Sequence, residues 1–226
     1  MHITYYGHSC FSVEVSGKTL LFDPFITPNP LADAVDVTSL RPDYILLSHG
    51  HADHVADVEK ITLQSGATLI GNFEVISWFD AKGLNKATPM NSGGSCDFDF
   101  GRVTFTTAIH SSSMPDGSYG GQPGGFRVET AEGAFYYSGD TALTHDLKLI
   151  AAMGPLRFAA LCVGDHFTMG AADAATAAEW LGCSEILGVH YDTFPPIAIN
   201  HAAAKEVFAK RGKTLHLLAP GACCQF

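Results

Sequence analysis

The 226-residue chain has no cluster of lysine or arginine anywhere, and its 13 basic residues stand against 23 acidic ones, for a formal net charge of −10. Nucleic-acid backbones are held chiefly through such clusters, so long nucleic acid is excluded as a partner. No apolar run approaches the ~20 residues that span a bilayer, so no membrane insertion is expected. The opening "MHITYYG" lacks the basic start and apolar stretch of a secretory leader. None of the six cysteines (Cys10, Cys96, Cys162, Cys183, Cys223, Cys224) forms a CxxC pair, which removes zinc knuckles and thioredoxin-like motifs. Reduced cysteines in apolar strand-like runs behave as small hydrophobes, and the expectation is a cytoplasmic protein. There is no GxSxG elbow and no glycine-rich stretch ending in GK[ST], so neither a serine hydrolase nor a P-loop is indicated. No repeat of fixed period is present.

What remains is an ordinary globular composition, 46% hydrophobic and 16% charged, of a length that suits one domain over residues 1–226. Short runs rich in β-branched and aromatic residues read as strands: "MHITYYG", "CFSVEV", "KTLLFD", "DYILLS", "ATLIG", "RVTFTTAI", "GFRVET", "AFYYSG", "FAALCVG", "EILGV" and "LHLLA". Helices are expected at about 52–65, 73–82, 144–153, 171–181 and 200–211. Gly66, Gly83, Gly182 and Gly212 sit where left-handed caps would stop them. Helices interleaved with many strands predict an α/β layered domain. The stretch 111–125, "SSSMPDGSYGGQPGG", is long for a loop and reads as a functional lid or a mobile excursion.

The densest chemistry is in "SHGHADH", which offers His49, His51, Asp53 and His54 within six positions. His49 and His51 alternate across an extended segment, and Asp53 and His54 open the following helix. Other strand-like runs also end in ligand-type residues: Asp23 after "KTLLF", His110 after "VTFTTAI", Asp140 after "AFYYSG", Asp165 and His166 after "ALCVG", and His190 after "EILGV". If those strands run in compatible directions, the polar groups meet at one edge, where open α/β sheets bind ligands. Imidazole and carboxylate suit divalent zinc, and Mn and Fe also tolerate them.

"HGHADH" matches the HxHxDH signature of the metallo-β-lactamase superfamily, and the chain resembles that family along essentially its whole length. "YYGHSCFSV", "LLFDPF", "GDHFTMG" and "HYDTFPP" are similar to a branch of bacterial and archaeal metal-dependent hydrolases, itself similar to the L-ascorbate-6-phosphate lactonases. The resemblance implies an αββα sandwich, two facing mixed sheets with helices outside. It implies one metal on His49, His51 and His110, a second on Asp53, His54 and His190, and Asp140 bridging them. Zinc is the first expectation for both. Secreted β-lactamases of the family commonly carry Cys where this chain has Asp140, and its nucleases carry a further large domain, so neither is expected.

Two such cations lower the pKa of a shared water, so that hydroxide exists at neutral pH, and they polarise the substrate oxygen. The expected activity is hydrolysis of a small molecule: a lactone, an ester or a phosphodiester. The rival is a non-hydrolytic metalloprotein of the same fold, such as a mononuclear-iron sulfur dioxygenase. Among the remaining residues, Asp53, Asp140, His8 and His166 are the catalytic candidates, His8 as a substrate contact or proton donor. Asp23 and Asp165 are candidate outer carboxylates that orient a ligand histidine. Tyr191 and Thr193 are expected to line the pocket. The sequence leaves open whether the chain forms a homo-oligomer.

Overall fold

The computed structural model describes residues 1–226, which form fourteen strands and six α-helices. Strands β1 (His2–Gly7), β2 (Cys10–Val15), β3 (Lys18–Phe22), β4 (Tyr44–Leu47), β5 (Thr68–Asn72) and β6 (Ala87–Met90) build one sheet. Strands β7 (Ser95–Phe98), β8 (Gly101–Thr107), β9 (Gly124–Thr130), β10 (Gly133–Tyr137), β11 (Phe158–Cys162), β12 (Glu185–Val189) and β13 (Thr214–His216) build the other. Strand β14 (Cys223–Gln225) returns to the first sheet and pairs with β1, giving seven strands in each. Their orders are β14-β1-β2-β3-β4-β5-β6 and β13-β12-β11-β10-β9-β8-β7. Both sheets are mixed: β3 to β6 and β10 to β13 run parallel, and the other pairings are antiparallel.

These pairings fix the directions on which the sequence argument depends. Strand β1 is antiparallel to β2 and β2 to β3, so β1, β3 and β4 end at one edge. By the same logic β8, β10, β11 and β12 share an edge of the second sheet. Every strand expected to end in a ligand-type residue therefore delivers it to the C-terminal edge of its sheet.

Between the sheets lies a core of 40 buried residues. Its aromatic centre stacks Phe11 on Phe22, at 4.6 Å between rings, with Tyr137 edge-on to both. A second cluster of 17 residues packs the outer face of the first sheet under α2 (Val58–Ser65) and α3 (Phe73–Asp80). On the other side, α5 (Ala171–Trp180) buries Ala174, Ala175, Ala177 and Ala178, small enough for a helix to lie close to neighbouring backbone. Helices α4 (Leu147–Ala152) and α6 (His201–Ala209) flank it. The αββα sandwich is as expected.

All four glycines expected to stop helices have positive φ. The expected helix 52–65 is broken in two, α1 (Ala52–Val55) and α2. The break falls at Asp57, whose N–H bonds to the Pro24 carbonyl and whose carboxylate accepts from the N–H groups of Ile26 and Thr27. A side chain and an amide drawn sideways into a loop cannot also continue a helix. Of the strands, β6, β7 and β14 are not anticipated by the sequence. The cysteines are all free.

Candidate metal centre

The turn between β4 and α1 carries the histidine-rich motif against a firmly held neighbour. Segment 111–125 is tied down rather than loose. The Asn72 amide donates to the carbonyls of Gly120 and Gln122, the Trp78 indole donates to Asp116, and Met114 is buried. The Gly50 N–H donates to the Ser112 hydroxyl. A Cβ on Gly50 would lie 2.5 Å from Met114 Sδ and 3.1 Å from the Ser113 carbonyl oxygen. The small residue between His49 and His51 is therefore what lets this segment approach and brace the motif.

The structure brings the expected ligands together in two groups. Ring nitrogens of His49, His51 and His110 lie within 4.8 Å of one another, and so do the ligand atoms of Asp53, His54, His190 and His8. Asp140 stands between the groups: its Oδ2 is 2.9 Å from His190 Nε2, 3.2 Å from His54 Nε2 and 3.7 Å from His110 Nε2. A cavity of about 290 Å³ opens onto the cluster, lined by His51, Asp53, His110, Ser111, Asp140, Phe167 and His190.

Asp23 organises this cluster from below. It is fully buried and accepts from the Ser48 N–H, the Ser48 hydroxyl, the Tyr137 hydroxyl at 2.6 Å and His54 Nδ1 at 2.8 Å. A carboxylate only accepts, so the His54 proton sits on Nδ1 and the Nε2 lone pair faces Asp140. Ser48 gives its proton to Asp23 and so accepts from His49 Nδ1, which turns the His49 Nε2 lone pair toward the cluster as well. One carboxylate thus fixes the tautomer of a histidine in each group.

Electrostatics agree with a cation site. Burial holds the pKa of His49 well below its ordinary value and also lowers those of His51 and His110, which favours neutral, ligating imidazoles. For His54 burial again opposes charge, but Asp140, Asp23 and Asp53 outweigh it and raise its pKa well above the ordinary value. These carboxylates favour a positive charge at Nε2, and a metal there would displace the second proton and leave the ring protonated on Nδ1 alone. Burial works to raise both central carboxyls. His54 and the His8 hydrogen bond nevertheless hold Asp53 below the usual carboxylate range, and His190 and His54 do the same for Asp140. His54 Nε2 and Asp140 Oδ1 are buried with no hydrogen-bond partner. Such groups are costly unless something meets them. A divalent cation between a lone pair and a carboxylate meets both, so the donor set fits metal.

Five of the expected site residues lie away from the cleft. His8 is fully buried and does not line the cleft. Its Nε2 donates to Asp53 Oδ2 at 3.0 Å, and its Nδ1 accepts from the Thr193 hydroxyl at 2.9 Å, so neither ring nitrogen is free for a substrate. Burial drives its pKa down to about 4. Asp165 and His166 are exposed in a tight turn and line a different cavity with Val163 and Ala203, and Phe167 faces the cleft instead. Tyr191 is stacked against Tyr5 and donates to the Leu218 carbonyl, away from the cleft. Thr193 does not line the cleft either and acts on Asp53 only through His8. Sequence reasoning missed Ser48, Tyr137 and Phe167. Ser48 had a signal, being the hydroxyl that precedes the first ligand histidine; Tyr137, 114 positions from Asp23, had none.

Two facing mixed sheets, with a histidine and carboxylate cluster where their strands end, define a sandwich of the metallo-β-lactamase type. Residues 2–190 match the beta-lactamase superfamily domain, and the chain belongs to that family. It is 50% identical over 221 residues, covering 98% of each chain, to a UPF0173 metal-dependent hydrolase of Flavobacterium johnsoniae. It is also 50% identical over 208 residues, 92% of each chain, to one of Methylacidiphilum infernorum. Among solved structures it is similar to Igni18, a metallo hydrolase of the archaeon Ignicoccus hospitalis. That likeness has a TM-score of 0.89 and 29% identity over all of this chain and 98% of the other.

Proposed function

We propose that the protein is a hydrolase of small molecules that works with two divalent cations, zinc first among the candidates. His49, His51 and His110 hold one, Asp53, His54 and His190 hold the other, and Asp140 faces both. The observation that carries this reading is the placement of Asp140 Oδ2 within 3.7 Å of nitrogens from both groups. Seven protein donors exceed what one tetrahedral ion uses. When bound, such a pair acidifies water and polarises the bond to be broken.

The chain's own residues do the rest. Asp23 fixes His54 directly and His49 through Ser48, so that each presents a lone pair. Thr193 and His8 fix Asp53, the more exposed of the two central carboxylates, at the wall of the cleft. His8 is on this reading a positioning residue rather than an acid. Elemental analysis of purified protein, followed by an ester, lactone and phosphodiester panel with Zn, Mn and Fe, tests the proposal. Two metals per chain with turnover of one substrate class is the expected result. Saturation at one iron without hydrolysis would favour a dioxygenase of the same fold. The likeness to L-ascorbate-6-phosphate lactonases remains a resemblance.

A further inference from the structure

Beyond the metal-ligand candidates, the wall of the cleft has a single apolar residue. Phe167 lines the cleft and is 54% exposed. It lies in a turn that the chain makes at a conformational cost. Asp165 and His166, just before it, both have positive φ, 60° and 48°, a region that residues with a Cβ avoid. The turn is closed by the Asp165 N–H on the Met169 carbonyl and the Thr168 N–H on the Asp165 carbonyl. It is tied to the site by the Met169 N–H on the carbonyl of Thr141, the residue after Asp140. The backbone that carries the ring is thus tied beside the cluster, while half of the side chain faces solvent.

The lining is equally informative in charge. None of its residues is Lys or Arg, and beyond the ligand candidates it offers only the Ser111 hydroxyl and the Phe167 ring. A substrate with a second anionic group, such as a remote phosphate or carboxylate, would find no counter-charge on the wall.

Resting on the hydrolase reading above, we infer that the site takes small uncharged esters or lactones whose apolar acyl portion packs on Phe167. The selectivity for neutral, apolar acyl groups lies in that one side chain. Hydrolysis joins the water oxygen to the acyl carbon and breaks the acyl–oxygen bond, giving a carboxylate, a proton released to solvent and an alcohol, the last on the same molecule when the substrate is a lactone.

The test compares 4-nitrophenyl butyrate with 4-nitrophenyl hemisuccinate, which are of similar length and differ in a terminal carboxylate. The wild-type protein loaded with zinc should favour the butyrate by about tenfold or more in kcat/KM, the scale of discrimination a pocket gains from an apolar contact. Phe167→Ala should remove most of that preference, and Phe167→Arg should reverse it. Calorimetric titration of the loaded protein with butyrate gives a readout without turnover. Phe167→Ala should weaken butyrate and leave acetate unchanged. Equal handling of both esters by the wild type, or an equal loss on both in Phe167→Ala, overturns the inference. If neither ester is hydrolysed, the hydrolase reading fails and calorimetry decides the remainder. A butyrate affinity unchanged by Phe167→Ala overturns the apolar wall, and a lowered one supports it.

Discussion

His8 and Asp53 are joined by a 3.0 Å hydrogen bond in which the buried imidazole donates to the carboxylate. A histidine with its other nitrogen on Thr193 is placed as an outer support for Asp53, one of the proposed ligands. Losing such a support costs metal affinity by about 10–100-fold. His8→Ala should therefore weaken one metal by that order in competition titrations with a chelator. His8→Gln, whose amide can still donate, should recover part of it, and Thr193→Val should show a milder loss. A proton donor would behave otherwise, since its removal would slow turnover and leave metal affinity intact.

Asp140→Asn keeps the size of the side chain and removes the charge that faces both groups. The expected result is loss of at least one metal by elemental analysis. Hydrolysis should fall by orders of magnitude, with the circular-dichroism spectrum unchanged. Full metal content in this variant would remove Asp140 from the ligand set.

Asp23→Asn strikes a carboxylate that is fully buried and accepts four hydrogen bonds. The amide cannot accept from Tyr137, Ser48 and His54 together. Breaking a buried charged network typically costs about 3–5 kcal/mol. Denaturant titration should show a loss of that order. Because Asp23 orients a histidine in each group, both metals should be weakened together.

Metal should also stabilise the fold. A ligand that binds only the native state at 100 times its Kd adds about 2.7 kcal/mol. The Tm should rise on zinc addition until two equivalents are bound, and fall on dialysis against a chelator. An unchanged Tm would argue against a cation in this cluster.

Gly50→Ala tests the bracing of the motif, since the new Cβ would meet Met114 and the Ser113 backbone. Overpacking of this kind costs about 1–3 kcal/mol. Limited proteolysis should then cut within 111–125 in the variant and spare that segment in the wild type.

The metal-ligand candidates were legible because they obey two local rules at once: the residue types suit a divalent cation, and each follows an apolar run. The sheet directions that unite them follow from pairings that no single segment encodes. The strands missed, β6, β7 and β14, are all edge strands. An edge strand is short, pairs on one side only and tolerates residues such as Pro89, so its pattern is weak. Residues that act on a ligand from behind were read less well. Asp23 was anticipated from its place before Pro24. His8, His166 and Tyr191 were read as facing the cleft because each stands at or beside a strand end. The chain's turns decide which way such a residue points: positive φ at His8 and His166 sends one ring into the interior and the other out to a neighbouring cavity. Phe167 carried no such signal, because a lone aromatic in a turn looks like any packing residue.

The proposed ligands are divided between the two sheets: His49, His51, Asp53 and His54 follow β4, whereas His110, Asp140 and His190 follow β8, β10 and β12. Ions held by both halves would act as a clasp across the open end of the sandwich, stabilising the joined sheets because they bind only when both are in place. The clasp cannot close during synthesis until His190 has emerged and β12 has joined its sheet. Loading is thereby made a late event, and a chain whose second half is misfolded has no complete cradle with which to retain the ions.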